Sequence, residues 1–498
     1  MKKVRAKLRK GLQLFSELLR GHPEGLQRVA AERLVPYLER HRNRVWADRL
    51  RIGLLRCQPG ARAAGPEVDI LLATCTLLIP PGWFLSQAQR SRLKRRLCAR
   101  MLVTGAAVVS CDDWIRDGTG RWSWRQKPLF DPLFDAEVGI GEGPLLIRDA
   151  LLSRLEPLPS PPHQPAWRRA LHQRVLAWGG QAHMPLPLVR APSSPSISEA
   201  VSTRGRDVSS AAATPALVSV LIPTGGFRRT IGCQNCLLVR HCLESLLTRS
   251  TYRQMEVVLI DGGELEKTVL EDLLRLVEGG LGPGRLRVLH DPSPYSYTRR
   301  INRAAEAAKG ELLLQLNDDT ELLGSDGIEL LVEALKGPEV GVAGALLLYP
   351  NGRVQHAGTA IDNLAPRHVW AGCRPEDLPW GTLKGHRTFH AVTGAVSLCR
   401  RSLWRDLRGF SDRFPVNYGD VDFCLRAGEL GLSTVLEPRS RWLHHESASR
   451  PLEDVPPELS EFMETWGDRL GGLYNVDPYC SAWRRLLATP RWNRGGPN

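Results

Sequence analysis

Two acidic clusters and a pair of histidines are the residues of this sequence best suited to metal and proton chemistry. The first cluster, Asn317-Asp318-Asp319 (the acidic triplet), directly follows an apolar run. Two adjacent carboxylates repel each other unless a cation lies between them or one is protonated. A hard divalent ion bound by carboxylate and phosphate oxygens removes this repulsion. A helix cap is the alternative, because Asp accepts backbone N–H bonds at a helix start, and the pair alone does not decide between the two.

The second cluster lies about a hundred residues further on, in the segment NYGDVDFCLRAGELG. Asp420 and Asp422 precede an amphipathic helical pattern there, so each carboxylate could act as a general base or cap the helix. His444 and His445 follow in RWLHHESASR. Most single histidines are structural, but an imidazole near an acidic pair is a suitable third metal ligand.

Short apolar runs alternate with helix-like segments after residue 217, and this alternation indicates how the acidic residues are positioned. The runs occupy residues 218–223, 257–262, 287–290 and 311–317. Alternating strands and helices predict an α/β fold, with a Rossmann-like parallel or mixed sheet covered by helices on both faces. Ligands bind at the carboxyl ends of such strands. We therefore expect Pro223, Thr224, Asp261 and the acidic triplet to converge on one crevice.

Length and composition indicate a globular protein of more than one domain. The chain has 498 residues, 42% of them hydrophobic and 24% charged, which excludes a wholly disordered protein. Its net charge is +14, and the basic excess lies in residues 1–210, which hold 34 Lys and Arg against 18 Asp and Glu (+16), whereas residues 211–498 hold 33 against 35 (−2). These basic residues form no docking helix or aromatic RNA platform, so we do not expect a nucleic-acid partner. Eleven cysteines without an export signal are typical of reduced thiols in the cytoplasm.

The sequence divides into five predicted segments. Residues 1–60 form a basic amphipathic helical segment, which either lies on an anionic membrane surface or packs on the next domain. Residues 61–190 form a small α/β region, residues 191–216 a Ser/Pro/Ala-rich linker, and residues 217–450 the main α/β domain, with a helical extension over 451–498. No run reaches the roughly eighteen uncharged apolar residues of a membrane span. We interpret Ile70 to Leu85 as a buried strand and its exit turn, and expect a cytoplasmic protein, peripheral at the inner face of the plasma membrane.

Residues 218–450 resemble the inverting glycosyltransferases of family 2, whose nucleotide-binding half has the GT-A fold. The resemblance is based on six motifs in the same order, which are VSVLIPT, VVLIDGG, INRAAEAAKGELLLQLNDDTEL, AVTGAVSLCRRSLW, GDVDFCLRAGELG and WLHHESASR. Bacterial O-antigen and rhamnan-type sugar transferases are the most similar group. An ordered series of this kind is far more specific than any one motif.

The resemblance assigns roles to individual residues. Pro223, Thr224 and Asp261 match the positions that hold the donor nucleoside. In the acidic triplet, Asp319 matches the direct ligand of Mn²⁺ or Mg²⁺ and Asp318 lies nearer the ribose or the donor sugar, whereas Asn317 replaces an acid. Asp420 matches the catalytic base, although Gly419 replaces the preceding Glu. His444 matches a metal-binding histidine, and we prefer it to His445.

The resemblance also implies the reaction. An acceptor hydroxyl of a glycan or lipid-linked saccharide would displace the nucleoside diphosphate of a nucleotide sugar, with inversion, in cell-surface polysaccharide synthesis. The sugar would be a hexose or deoxyhexose. A catalytically inactive sugar-binding or scaffold protein of the same fold is the alternative, and the presence of Asp319, Asp420 and His444 disfavours it. A nucleotidyltransferase would share the carboxylates but needs a Gly-rich phosphate loop, of which Gly225-Gly226 is a weak trace.

The region at residues 61–190 resembles a degenerate copy of the second half of the main domain. Residues 69–84 resemble the segment that carries the acidic triplet, with Ala73, Thr74 and Cys75 near the place of the carboxylates. Three further matches follow in the same order. In this alignment Asp112 and Asp113 lie on the acceptor-side strand, and no acid stands near Ala170 and Leu171. We therefore expect a non-catalytic GT-A-like half domain that positions the acceptor, a partner enzyme or the membrane.

Cysteines near the first strand of the main domain suggest a zinc site. The segment GCQNCLLVRHC contains Cys233, Cys236, His241 and Cys242. A lone Cys-x-x-Cys without a second well-spaced pair is weak support for zinc. The segment also lengthens the loop after Thr224, so that it borders the expected nucleotide crevice.

Overall fold

The computed structural model places the described residues in two compact units. The described residues are 66–80, 83–116, 122–125, 127, 131, 133–134, 143–154, 171, 180–191, 215–362, 365–378, 382–445 and 458–470. Unit 1 is drawn from residues 1–201, 376–382 and 473–498, and unit 2 from residues 202–375 and 383–472. The division at residues 201–202 falls inside the predicted linker. Most of that linker, and the predicted basic helix at residues 1–60, lie outside the described residues.

Unit 1 contains a five-stranded mixed sheet. Its strands are β1 (Cys75–Leu78), β2 (Val108–Arg116), β3 (Trp122–Arg125), β4 (Leu145–Arg148) and β5 (Gln181–Arg190). Its helices are α1 (Pro66–Thr74), α2 (Gln87–Thr104) and α3 (Asp149–Leu152). Strand β4 pairs antiparallel with β1 and β2, and β2 pairs antiparallel with β3 and parallel with β5. Leu93, Leu97 and Met101 recur at helical spacing in α2 and pack against Val109 and Leu146 of the sheet.

The prediction of a strand from Ile70 to Leu85 is wrong over its first part, because residues 66–74 form helix α1. Pro66 occupies the first helical position, where its missing N–H costs nothing. Glu67 and Asp69 follow in the first turn, where carboxylates are favoured by the helix dipole. Val68 and Leu71, three residues apart, are the buried residues of this helix. The strand is therefore limited to β1.

Unit 2 contains a ten-stranded mixed sheet and two short hairpins. The sheet strands are β6 (Val218–Thr224), β9 (Met255–Asp261), β10 (Leu286–His290), β11 (Leu312–Leu316), β12 (Thr320–Leu322), β13 (Val340–Leu348), β14 (Val354–His356), β17 (Arg387–Phe389), β18 (Val396–Arg400) and β19 (Ser433–His444). The hairpins are β7 (Arg228–Ile231) with β8 (Gln234–Leu237), and β15 (Thr359–Asp362) with β16 (Ala365–His368).

The main path of this sheet is β10-β9-β6-β11-β18-β13-β19-β12. The first four strands are mutually parallel, β18 is antiparallel to both of its neighbours, and β19 is parallel to β13. All residues of β6, β9 and β11 are buried. Continuous apolar runs of this kind belong to strands covered on both faces. The predicted α/β class with a mixed sheet is confirmed.

Seven α-helices accompany this sheet among the residues described for unit 2. They are α4 (Leu238–Arg249), α5 (Lys267–Leu281), α6 (Tyr297–Ala307), α7 (Gly327–Ala334), α8 (Arg401–Asp406), α9 (Gly419–Glu429) and α10 (Leu459–Leu470). Helix α6 begins after Ser296, whose hydroxyl accepts a bond from the Arg299 amide, as expected of a helix cap. No helix of the described part of the chain is long and apolar enough to cross a membrane.

Five strands of unit 2 pair in the same pattern as the five strands of unit 1. Strand β18 lies antiparallel between β11 and β13, as β4 lies between β1 and β2. Strand β19 is parallel to β13 as β5 is to β2, and β14 is antiparallel to β13 as β3 is to β2. A helix precedes each of the corresponding strands β1 and β11, and β2 and β13. Unit 1 therefore has the strand arrangement of the second half of unit 2.

A shared irregularity fixes which residues correspond. The register of β13 with β19 shifts between Ala345 and Leu346, and the register of β2 with β5 shifts between Cys111 and Asp112. Aligning the two shifts places each strand of unit 1 on its counterpart in unit 2. Pro80 then corresponds to Asn317, so that Pro81 and Gly82 follow in the sequence where unit 2 has two carboxylates. The predicted counterpart at Ala73-Thr74-Cys75 is wrong.

Candidate active site

The carboxyl ends of three neighbouring parallel strands bring the predicted nucleotide residues together. Thr224 ends β6 and Asp261 ends β9, and the two are partners in the register of these strands. Strand β11 ends at Leu316, and the acidic triplet follows it. The Thr224 hydroxyl donates to Oδ2 of Asp318 at 2.7 Å. Thr224, Asp261 and Asp318 therefore lie at one edge of the sheet, as the sequence predicts.

Pro223 lies in the buried strand β6 without disturbing the sheet. It pairs in register with Ile260 of β9. The pairing of β6 with β11 extends only from Val218 to Leu221. Because proline has no N–H to donate, its position beyond the last β11 partner avoids a missing bond on that side. The chain can thus leave the sheet at Thr224 and turn toward the crevice.

The two carboxylates of the acidic triplet are held in different charge environments. Burial, and then the neighbouring Asp319, raise the pKa of Asp318 to about 7, although the Thr224 hydrogen bond opposes the rise. Burial also disfavours ionisation of Asp319, but attraction to the His444 imidazole outweighs it and lowers the pKa of Asp319. Like charges side by side push two pKa values apart in this way. A cation at this place would relieve both effects.

His444 faces the acidic triplet with its Nε2 atom. Its Nδ1 atom is 2.8 Å from Oε1 of Gln355, and because this oxygen only accepts, Nδ1 is a donor; when the ring is neutral, Nε2 therefore carries the lone pair. Nε2 lies 3.0 Å from Oδ1 of Asp319, and that buried oxygen has no hydrogen-bond partner. A lone pair and an orphan carboxylate oxygen this close are what a metal ion needs, and the Gln355 bond is a typical support for a metal-binding histidine. Asp319 and His444 therefore fit a divalent cation.

Asp420 lies in the first turn of α9, two residues after Tyr418, so it does not occupy the cap position that the sequence suggested as an alternative. Its Oδ2 accepts the Gly394 amide at 2.7 Å and its Oδ1 accepts the Val421 amide at 2.8 Å. A Cβ atom on Gly419 would come within 2.4 Å of Cγ2 of Thr298. A glutamate therefore does not fit before Asp420 in this chain, which explains why Gly419 departs from the family motif.

Gly394 connects Asp420 to the acidic triplet. The next residue, Ala395, accepts the Asn317 amide at 2.9 Å. The Gly394 carbonyl accepts the hydroxyl of Tyr297 at 2.8 Å. One turn of backbone thus contacts both Asp420 and the start of the triplet. The structure brings Asp319, His444 and Asp420 to the same edge of the sheet, and sequence reasoning missed Gly394, Tyr297 and Gln355 because their contacts span long stretches of chain.

Arg300 is a further residue that the sequence analysis did not select. It is 2% exposed, and its Nη1 donates to the Thr224 carbonyl at 2.8 Å. Its guanidinium carbon lies 4.9 Å from the centre of the Tyr295 ring, and its Nε has no hydrogen-bond partner. A buried cation at the end of β6 adds positive charge beside the predicted nucleoside position. The only sequence signal was the pair of arginines in YTRRIN, which reads as an ordinary helix surface.

Asp422, the other acid of this segment, has a structural position. It is buried, and its two oxygens accept Nε of Arg426 at 2.8 Å and Nε1 of Trp466 at 3.0 Å. Arg426 in turn donates to the Gly409 carbonyl at 2.8 Å. Asp422 therefore ties α9 to α10 and to the loop after α8, which leaves Asp420 as the carboxylate that faces the sheet edge.

The cysteines of the suspected zinc motif are not gathered in the structure. Cys233 is exposed at the tip of the β7–β8 hairpin, Cys236 is half-buried, and Cys242 is buried on α4. Among the described residues, one group of three side chains meets the spacing of a metal site, and it contains His241 but no cysteine. The lengthened loop after Thr224 forms the β7–β8 hairpin.

A mixed sheet with carboxylates at the ends of its parallel strands defines unit 2 as an α/β domain with a candidate ligand site at one sheet edge. Residues 232–397 of this unit match the model described as "Glycosyl transferase family 2". This part of the chain is similar to that family.

Sequence similarity to curated relatives extends over about half of this chain. An uncharacterized protein, y4gI, of Sinorhizobium fredii is 31% identical over 55% of the chain and 30% of its own length. The O-antigen biosynthesis protein RfbC of Myxococcus xanthus is 35% identical over 51% of the chain and 20% of its own length. The chain thus spans less than a third of the length of these relatives.

Two further similarities have lower identity. The N-acetylglucosaminyl-diphospho-decaprenol L-rhamnosyltransferase of Mycobacterium tuberculosis is 24% identical over 50% of the chain and 83% of its own length. Among solved structures, GalNAc-T7 with UDP, GalNAc and Mn²⁺ aligns over 51% of the chain and 50% of its own, with 17% identity and a TM-score of 0.40.

Proposed function

We propose that the protein is a metal-dependent inverting glycosyltransferase. It moves a hexosyl or deoxyhexosyl group from a nucleotide-diphosphate sugar to a hydroxyl of a glycan or lipid-linked saccharide in polysaccharide synthesis. The match of residues 232–397 to the model described as "Glycosyl transferase family 2" supports glycosyl transfer. Relatives named for O-antigen biosynthesis and for rhamnosyl transfer to a diphospho-decaprenol support the acceptor class.

Asp420 is the general base in this proposal. The amides of Gly394 and Val421 each donate to one of its oxygens and fix the plane of the carboxylate. Each oxygen retains a lone pair for the acceptor hydroxyl, and Asp420 is half-buried rather than closed off. The base removes the hydroxyl proton as the oxygen attacks the anomeric carbon from the face opposite the leaving diphosphate, so the configuration inverts.

Asp319 and His444 would hold a Mn²⁺ or Mg²⁺ ion in this proposal. The bound ion supplies Lewis-acid neutralisation of the charge that develops on the diphosphate. Oδ1 of Asp319 and Nε2 of His444, 3.0 Å apart, are the protein atoms available to it. Gln355 keeps the imidazole in the tautomer that exposes Nε2.

The donor nucleoside binds beside Thr224 and Asp261 in this proposal. Asp261 is 3% exposed, and its Oδ1 accepts the Leu265 amide at 3.3 Å, so its second oxygen remains for the base. Asp318 is fixed by the Thr224 hydroxyl and points to the ribose side. Arg300 adds a buried positive charge at the same strand end, which favours the diphosphate.

The single observation that carries the proposal is the meeting of Asp319, His444 and Asp420 at one sheet edge. The test is the Asp420→Asn variant, assayed with Mn²⁺ and a panel of nucleotide sugars for release of the diphosphate. Loss of a positioned base lowers the rate about 10²–10⁴-fold, while calorimetric binding of the nucleotide should be unchanged. Asp412→Asn, at an exposed acid before the same helix, is the matched control. Full turnover in the Asp420→Asn variant contradicts the proposed base.

A further inference from the structure

We propose that His241, Glu321 and His445 form a second metal site, for a transition metal ion that prefers imidazole ligands, with Zn²⁺ as the best match. His241 lies on α4, Glu321 is the middle residue of β12, and His445 directly follows β19. One ligand atom of each side chain lies within 4.8 Å of the others. Three elements far apart in sequence thus present metal-binding atoms to one point.

The distances match a tetrahedral ion. Nε2 of His241 lies 3.2 Å from Oε2 of Glu321, and Nε2 of His445 lies 3.6 Å from the same oxygen. Ligand atoms about 2.0–2.1 Å from zinc in a tetrahedron are separated by roughly 3.4 Å. The three atoms therefore need only small rotations of their side chains to share one ion.

The His445 imidazole is the independent observation that points to a ligand. The residue is 5% exposed, and its Nε2 is a buried atom with no hydrogen-bond partner. A buried polar atom left without a partner destabilises a fold. An imidazole that points this atom at a carboxylate 3.6 Å away, too far for a hydrogen bond, is explained by an ion between them.

A neighbouring arginine holds the Glu321 carboxylate in an orientation that suits a metal ligand. Nη2 of Arg249 contacts Oε1 of Glu321 at 2.8 Å. The contact leaves Oε2 for the two histidines. Partners of this kind, which hold a ligating carboxylate in one orientation, are typical of metal sites. The Arg249 side chain is 42% exposed, so solvent screens its charge from the site.

The ligand set distinguishes this site from the cation proposed at Asp319. Two imidazoles and one carboxylate form a set that zinc adopts with a fourth position open to water, whereas Mg²⁺ and Mn²⁺ prefer oxygen ligands. His444 and His445 are adjacent, and successive side chains of an extended chain point to opposite sides. His444 accordingly contacts Asp319 and Gln355, while His445 faces Glu321. A zinc ion at His445 would fix the strand end that carries His444.

The test uses the full chain, freed of metal with a chelator and carrying Cys233→Ser and Cys236→Ser so that thiols cannot bind zinc. We expect one equivalent of Zn²⁺ by calorimetry, and a visible Co²⁺ spectrum of tetrahedral type. His241→Ala and Glu321→Gln should each weaken Zn²⁺ binding at least about tenfold. His290→Ala, at an exposed histidine, is the matched control and should bind Zn²⁺ normally.

Two further results decide the proposal. Asp319→Asn should keep the Zn²⁺ equivalent, because that carboxylate belongs to the other cation. Zn²⁺ uptake that persists in His241→Ala and Glu321→Gln but disappears in Asp319→Asn overturns the proposal, and so does the absence of any uptake by the parent protein. His241 has a side chain 25% exposed on a helix surface, so its removal should leave the fold intact, as circular dichroism will verify.

Discussion

Units 1 and 2 share a five-strand framework but differ in the strands added to it. In unit 2 the parallel strands β6, β9 and β10 extend the sheet beyond β11, and two of them end in Thr224 and Asp261. The described residues of unit 1 contain no strand beyond β1. The residues proposed to bind the nucleoside are therefore carried by the extension. The common framework alone provides a stable sheet without that half of the chemistry.

The buried carboxylates of the two units also differ in where they lie and in which side chains they contact. At the strand end where unit 2 has Asp318 and Asp319, the sequence of unit 1 has Pro81 and Gly82. Two buried carboxylates of unit 1, those of Asp112 and Asp113, lie instead within β2. Asp113 is bound by Arg125 at 2.8 and 2.7 Å and by Lys127 at 3.1 Å.

A second carboxylate of β2 is likewise engaged within unit 1. Asp112 contacts Nε2 of His183 at 2.8 Å, and Nδ1 of the same ring is 2.7 Å from the Ser110 hydroxyl. We therefore keep the interpretation of unit 1 as a non-catalytic half domain that positions the acceptor, a partner enzyme or the membrane. That role stays a prediction, and membrane contact through residues 1–60 concerns residues outside the described ones.

The largest effect should come from breaking the buried ion pair of unit 1. Asp113→Ala removes the carboxylate that Arg125 and Lys127 both contact, in a place where Asp113 is 0% exposed. Breaking a buried pair costs about 3–5 kcal/mol. Denaturant unfolding and hydrogen exchange of the β2 amides should both show the loss in unit 1. Asp69→Ala, at an exposed pair with Arg95, should cost only about 0–1 kcal/mol. Equal losses in the two variants would show that the buried pair has no special role.

The loss of stability at low pH should differ between the sheets of the two units. Glu437 accepts His386 at 2.6 Å and Arg439 at 2.8 Å, and although burial opposes ionisation, these bonds lower the pKa of Glu437 to about 2. A carboxylate with a depressed folded pKa adds stability above its unfolded value of 4.5, and this stability is lost as the pH falls from there toward 2. Met184 occupies the corresponding position in β5.

The variant that tests this difference is Glu437→Gln. This variant should flatten the fall in the stability of unit 2 between pH 5 and pH 2.5. The acid sensitivity of unit 1 should remain, because there burial raises the pKa of Asp113 but Lys127 and Arg125 outweigh it and lower that pKa. Urea unfolding at several pH values, with the β13 and β2 amides followed separately, provides the measurement. An unchanged acid slope of unit 2 would count against the role of Glu437.

The smallest effect is expected from removing residues 1–210, which include most of unit 1. A chain of residues 211–498 should keep donor binding and metal-dependent hydrolysis of the nucleotide sugar, because Thr224, Asp261, Asp319 and His444 all belong to unit 2. Calorimetry with the nucleotide and a diphosphate-release assay measure the two activities. Transfer to the acceptor is the step expected to weaken. Loss of all donor binding in a folded truncated chain would instead indicate a site that both units share.

The sequence was informative about site residues whose meeting depends only on the direction of the strands that precede them. Parallel strands end at one edge, so the meeting of Thr224, Asp261 and Asp318 followed from three apolar runs and the polar residues after them. It was less informative where periodicity is ambiguous. An apolar stretch such as residues 70–79 suits a helix or a strand until a partner strand selects one. The predicted counterpart of the acidic triplet in unit 1 was displaced by seven residues, from Pro80 to Ala73, for the same reason.

Contacts between segments that are distant in the sequence could not be predicted from sequence patterns. Gln355 and Gly394 were missed because neither residue type suggests chemistry alone, and each acts by a single bond to His444 or Asp420. His241 was selected for a zinc motif with nearby cysteines. The helix that begins at Leu238 instead directs it toward Glu321. Local spacing thus grouped His241 with cysteines, whereas the structure groups it with Glu321 and His445.

The shift within β19 determines which histidine serves which carboxylate. Glu437 is the partner of Ala345, and Arg441 is the partner of the next residue, so three extra residues are accommodated at this point. An odd number of extra residues reverses the side to which every later side chain points. Loss of one residue of this insertion, with the pairing beyond it kept in place, would bring His445 to the place that His444 now holds. The length of one small bulge therefore acts as a constraint on how the whole sheet edge can evolve.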